Sequence, residues 1–116
     1  MYFQKSEVKG KIALVTGAGK GIGKACALAL AEAGANLIIL SRTKSDLDKV
    51  EKQILKLKRK CKSYICDVSN YHDVKSVFSK ISSLDILVNN AGTNRPDHFM
   101  KIKKEDMDYV VDLNMK

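Results

Sequence analysis

Thr16-Gly17-Ala18-Gly19-Lys20-Gly21-Ile22-Gly23 is entered from the apolar run Ile12-Ala13-Leu14-Val15 and followed by Lys24-Ala25-Cys26-Ala27-Leu28-Ala29-Leu30-Ala31. The order reads as strand, glycine turn, helix. A helix start presents unpaired backbone N–H groups and the positive end of the helix dipole, which together attract a phosphate. Glycines let the backbone come close to such a group. A second apolar run, Asn36-Leu37-Ile38-Ile39-Leu40, begins after Gly34, which is placed to end the helix. The stretch is therefore expected to hold a nucleotide. A P-loop is not expected, because Gly21-Ile22-Gly23 offers no Gly-Lys-Ser/Thr hydroxyl for magnesium.

Further along, Thr43 or Ser45 is placed to cap a helix running to about Lys60, and Ser63-Tyr64-Ile65-Cys66 reads as a third strand ending at Asp67. A third helix is expected from roughly Tyr71 to Ile81. Leu84-Asp85-Ile86-Leu87-Val88 reads as a fourth strand closing on Asn89-Asn90-Ala91-Gly92, followed by a loop from Thr93 to Met100 that contains the single proline, Pro96. The spacing of Met107, Val110, Val111 and Met115 predicts a last helix starting near Lys103. Strands alternating with helices imply right-handed crossovers and a parallel sheet of order 3-2-1-4, with the ligand across the carboxyl ends of the strands. Thr16 to Gly23, Ser41-Arg42, Asp67-Val68 and Asn89 to Gly92 all fall at such ends.

The chain has 116 residues, 45% hydrophobic and 29% charged, which suits one small α/β domain. No apolar run approaches the roughly 20 residues needed to cross a bilayer. The N-terminus lacks the build of a signal peptide. A cytoplasmic protein with no membrane partner is expected. Met1-Tyr2-Phe3-Gln4 reads equally as a native start or as the remnant of a protease-cleavable tag, so residues 1–9 are set apart as a scar or a disordered start.

Cys26, Cys61 and Cys66 give an odd count without zinc-like pairing, and His72 and His98 have no ligand-like spacing. Reduced thiols and no metal are expected. The net charge of +8 raises nucleic acid as a partner. Much of the excess, however, sits between Lys49 and Lys62, where Leu47, Val50, Ile54 and Leu57 fall at helical spacing and the lysines face away. That is a solvated helix face. No nucleic-acid partner is expected.

The end of the second strand selects the cofactor. An acid there would accept hydrogen bonds from a ribose 2′-OH, and Ser41 and Arg42 stand in its place. Arg42 can grip a 2′-phosphate through a charge-assisted fork, and Lys20 in the glycine turn can approach the same group. The pair points to NADP(H).

Three ordered motifs together resemble the N-terminal half of a short-chain dehydrogenase/reductase: Thr-Gly-x-x-x-Gly-x-Gly from Thr16 to Gly23, Asp-Val at Asp67-Val68, and Asn-Asn-Ala-Gly from Asn89 to Gly92. The resemblance implies a Rossmann-type doubly wound parallel sheet, truncated after the fourth strand and its following helix. Residues 1–116 would then be the N-terminal part of a single NAD(P)-binding domain.

It also implies roles. Gly17, Ile22 and Gly23, within the turn that includes Thr16, Gly19 and Gly21, resemble positions lining the pyrophosphate. Lys20 and Arg42 resemble the basic pair of NADP-preferring members. Asp67 and Val68 resemble residues beside the adenine ring. Asn89, with Asn90, Ala91 and Gly92, resembles the segment that supports the central sheet and touches the adenine-side ribose.

The implied chemistry is hydride transfer between nicotinamide and a carbonyl or alcohol. Asn114 matches the helix asparagine that holds a water in the proton relay, while the serine and the Tyr-x-x-x-Lys pair would lie beyond Lys116. None of Tyr2, Tyr64, Tyr71 and Tyr109 is expected to substitute, so the 116 residues alone are expected to be inactive.

The stretch from Asn94 to Lys103, leading to Asp106 and Asn114, most resembles 3-oxoacyl-[acyl-carrier-protein] reductases of fatty acid synthesis. In these, NADPH reduces a β-keto group on an acidic carrier. A sugar, polyol or xenobiotic carbonyl substrate, as in xylulose reductases, stays open. So does a non-catalytic nucleotide-binding module. A homotetramer is implied for a complete enzyme.

Overall fold

A computed structural model describes residues 8–90 and 108–112 of the chain. The elements are β1 (Ile12–Thr16), α1 (Gly21–Glu32), β2 (Asn36–Ser41), α2 (Lys44–Lys56), β3 (Cys61–Ile65), α3 (Tyr71–Ser79), β4 (Ile86–Asn89) and β5 (Tyr109–Asp112). All strands pair in parallel in the order β3-β2-β1-β4-β5. The first four strands stand as 3-2-1-4, as the alternating pattern implies.

Parallel strands covered on both faces are apolar at successive positions, which explains why Ala13 to Thr16 and Leu37 to Leu40 are wholly buried. Successive residues feed two separate cores. Ala13, Val15, Leu37, Ile39 and Val88 pack under α1 and α2, against Ala27, Leu30, Leu47, Val50 and Ile54. Leu14, Ile38, Leu40 and Leu87 pack on the opposite face against Val74, Val77 and Phe78 of α3. Each fully buried aliphatic side chain contributes about 1.5–3 kcal/mol of transfer free energy.

Element ends follow pairing more than local propensity. Ala33 caps α1, and Gly34 follows it in the left-handed region at φ +106°. Thr43 occupies the N-cap of α2 but makes no side-chain capping bond; its N–H donates instead to Ser41 Oγ at 3.2 Å. This helix stops at Lys56 rather than near Lys60, because the chain reverses through Lys58 at φ +62°. The Leu37 N–H bonds Lys60 O and the register pairs Leu37 with Cys61, so β3 starts two residues earlier than expected. α3 ends at Ser79, and β4 begins at Ile86 and includes Asn89.

The helix expected from Lys103 is corrected by the structure. Residues 109–112 form β5 beside β4, with Ile86 opposite Tyr109 and Val88 opposite Val111. An aromatic residue and two β-branched valines fit a pleated surface, and pairing satisfies the backbone groups along the β4 edge. The Asp85 carbonyl accepts from the N–H groups of Asp108 and Tyr109, at 2.8 and 3.0 Å. Lys11 Nζ donates to Asp108 Oδ2 at 2.6 Å, an exposed contact between the strand's start and the base of β1. Met107 and Met115 lie outside the described residues.

Candidate functional site

The chain steps outward from β1 through β2 to β3, then returns to place β4 on the other side of β1. Crossovers therefore diverge at the carboxyl ends of β1 and β4, where open α/β sheets bind ligands. Thr16 closes β1 there, fully buried. Its Oγ1 donates to Asn89 Oδ1 at 3.1 Å and accepts from the Asn90 N–H at 2.8 Å. Asn89 and Asn90 thus brace the turn from behind.

The turn leaves β1 through Gly17 at φ +61°, a conformation glycine adopts without penalty. The Ala18 N–H donates to Leu40 O at 3.0 Å and ties the turn to β2. Lys20 takes the N-cap of α1 in extended conformation and contributes no side-chain cap, and the first turn holds no acid. The amides that open α1 are therefore left for an outside acceptor, in the field of the helix dipole. A Cβ at Gly23 would run into Gly17 O and come within 2.6 Å of Asn90 Nδ2, so only glycine lets the helix pass this close to the turn. Ile22 points an exposed apolar side chain outward beside it.

In front of the turn lies a cleft of about 340 Å³. It gathers Gly17, Gly19 and Lys20 from the turn, Ser41 and Arg42 from the end of β2, and Asp67 and Val68 from the end of β3. Other surface hollows reach 310 to 380 Å³, so volume does not distinguish this one. Its position at the strand ends and its donor set do. Two cations, one of them the N-cap residue of α1, and one carboxylate suit a nucleotide ligand.

Asp67 Oδ1 accepts from the Ser69 N–H at 3.0 Å and from Ser69 Oγ at 2.6 Å. These two bonds, with a further contribution from the charge of Arg42, hold the carboxyl below its ordinary range. The Cys66 N–H donates to Ser41 O at 2.9 Å, joining the ends of β2 and β3 behind the cleft. Burial pushes the Cys66 thiol up to about 11, with Asp73 and Asp67 adding to the rise.

Of the residues expected from sequence, Gly21, Ile22 and Gly23 sit at the helix start and Thr16, Asn89 and Asn90 form its support. None of these six lines the cleft. Ala91, Gly92 and Asn114 lie outside the described residues. Of the tyrosines set aside from sequence, Tyr71 has a lysine four residues on, Lys75. Both are exposed on α3, and neither lines the cleft.

Thr43, Cys66 and Ser69 line the cleft without having been expected there. For Ser69 the signal was present, because a serine two residues after an aspartate is a common local acceptor–donor turn. Asp46 was also missed. It packs against the glycine turn so closely that a Cβ at Gly19 would lie 2.8 Å from Asp46 Cβ and 2.9 Å from Ser41 Oγ.

A family model for the short chain dehydrogenases matches residues 11–116. The chain is 37% identical over 113 residues to the 3-oxoacyl-[acyl-carrier-protein] reductase FabG of Thermotoga maritima, covering 94% of this chain and 46% of that protein. It is 36% identical over 107 residues to the L-xylulose reductase of Mesocricetus auratus, covering 92% and 42%. Among solved structures, NAD+-bound xylitol dehydrogenase matches with a TM-score of 0.78 at 28% identity, covering 91% of this chain and 53% of that one. The chain thus spans about half the length of the relatives it matches.

Proposed function

Because the chain belongs to the short-chain dehydrogenase family, we propose that it forms the NADP(H)-binding half of an oxidoreductase that reduces a carbonyl to an alcohol. The observation that carries this reading is the placement of Lys20 and Arg42 on one cleft, with Ser41 where an acid would receive a ribose 2′-OH. In it, the opening amides of α1 and the turn from Gly17 to Gly23 hold the pyrophosphate. Lys20 and Arg42 take the 2′-phosphate. Asp67 and Val68 border the adenine, whose amine donates to the carboxylate. When bound, the reduced nicotinamide supplies the hydride.

Asn114 is assigned to a water in the proton relay, and the serine and the Tyr-x-x-x-Lys pair belong outside these 116 residues. Residues 1–116 alone are expected to show no turnover. The test is Arg42→Asp in the complete protein, with NADPH and NADH affinities measured by fluorescence titration. The ratio in favour of NADPH should fall by about tenfold or more. An unchanged ratio removes the assignment.

The proposed substrate is a 3-oxoacyl thioester on an acidic carrier protein, supported by similarity to the Thermotoga reductase. A sugar or polyol is the second reading, favoured by the likeness to L-xylulose reductase. NADPH oxidation by the complete protein with a 3-oxoacyl thioester and with L-xylulose separates them. A cytoplasmic location and a homotetramer belong to the same reading, and mass in solution tests the tetramer.

A further inference from the structure

Asp67 and Arg42 carry opposite charges, line one cleft, and do not pair. Among the described residues, the ion pairs are Lys11 with Asp108 and Lys44 with Asp48. The backbone on both sides is held, because the Cys66 N–H donates to Ser41 O at 2.9 Å and the Asp67 N–H donates to Asp73 Oδ2 at 3.3 Å. Only side-chain rotation could bring the two charges together. What opposes it is Ser69, whose N–H and Oγ both donate to Asp67 Oδ1, at 3.0 and 2.6 Å.

We propose that Ser69 is a positioning residue that holds the Asp67 carboxylate away from Arg42, keeping the nucleobase and 2′-phosphate ends of one cleft separately usable. The inference rests on the reading of this cleft as an NADP(H) site. Were Asp67 to close onto Arg42, one motion would spoil both ends: the carboxylate would leave the adenine amine, and the guanidinium would meet the 2′-phosphate already neutralised. The competition favours Ser69. Its bonds span two residues and order little extra chain, and both are charge-assisted. An exposed aspartate–arginine pair must immobilise a long side chain and is screened by water and salt.

The test uses the complete protein and three ligands: NADPH, NADH, and reduced nicotinamide mononucleotide, which lacks both the adenine and the 2′-phosphate. Ser69→Ala removes the 2.6 Å bond. Dissociation constants should rise roughly three- to fivefold for NADPH and about twofold or less for NADH, with no change for the mononucleotide. Ser69→Thr keeps the hydroxyl and should restore NADPH binding. In an Asp67→Asn background, where no charge remains to capture Arg42, Ser69→Ala should leave the NADPH-to-NADH ratio where Asp67→Asn sets it.

An unchanged ratio in Ser69→Ala overturns the proposal. So does equal weakening of all three ligands, which marks a merely structural role, or a ratio effect that persists undiminished with Asp67→Asn. If the unsubstituted protein itself shows no preference for NADPH, the reading of Lys20 and Arg42 fails first and takes the proposal with it.

Discussion

Thr16 and Asn89 meet side chain to side chain at the carboxyl ends of β1 and β4, both buried, with Thr16 Oγ1 donating to Asn89 Oδ1 at 3.1 Å and accepting from the Asn90 N–H at 2.8 Å. One hydroxyl thus satisfies the buried Asn89 side chain and the half-buried Asn90 N–H. Thr16→Val keeps the shape and strands both partners, at a cost of about 1–3 kcal/mol. Thr16→Ser retains the hydroxyl and should lose well under half as much. Urea unfolding midpoints of the two variants test this, and equal losses would mean that the methyl group, not the hydroxyl, is what matters.

Gly23 is the point where α1 passes nearest the turn. Gly23→Ala puts a Cβ against the Gly17 carbonyl and the Asn90 side chain, so the helix start or the turn must shift. Overpacking of this kind costs about 1–3 kcal/mol. The displacement falls where the opening amides of α1 are proposed to meet the pyrophosphate. Pyrophosphate-bearing ligands, NADPH and NADH alike, should therefore bind at least about tenfold more weakly, with their ratio preserved. Arg42→Asp should change the ratio instead, so the two variants separate a general phosphate cradle from a selective one.

The four-strand core was legible because its signals are local and redundant. Val15, Gly17 and Gly23 announce a strand, a turn and a tight helix entry within nine residues, and each agrees with the others. β5 was illegible for the opposite reason. Val110 and Val111 satisfy a helical spacing with Met107 and Met115 and, with Tyr109, equally suit a strand, and the choice depends on an edge supplied by Ile86 to Asn89, more than twenty residues earlier. The start of β3 at Cys61 likewise follows its register with Leu37 rather than anything near Cys61. At the site, Arg42 and Asp67 could be placed from the strand ends they follow, whereas the packing of Asp46 on Gly19 needs the angle at which α2 leaves β2.

The three thiols set an alkaline limit to stability. Burial raises Cys26 to about 11, Cys61 to about 12 and Cys66 to about 11, from an ordinary 9.0. Between pH 9 and 11 the folded chain keeps protons that the unfolded chain releases, so unfolding sheds protons and stability falls as pH rises. Their contribution is complete below pH 9 and is lost as pH climbs through the folded values. Urea midpoints at pH 8 and pH 10.5 should show the decline, and a Cys26→Ala/Cys66→Ala double variant should reduce it, leaving the part due to Cys61. Alkylation by iodoacetamide at pH 8 should be slow in the native protein and fast in urea.

β5 makes the last prediction. Its Val111 packs against the core under α1 and α2, whereas Tyr109 and Val110 stand exposed and Asp108 is joined to Lys11 at the surface. If strand pairing with core contact holds the segment, Val111→Asp should destabilise by about 1–3 kcal/mol, since a carboxylate would replace partly buried apolar contact. Asp108→Asn should barely move the unfolding midpoint, because an exposed ion pair contributes little. Amide hydrogen exchange gives the direct measurement. Protection at alternating residues of 109–112, released by Val111→Asp and kept by Asp108→Asn, is the expected pattern for an edge strand. Continuous protection running on from 109 through 115 would instead identify the helix that the apolar spacing suggests.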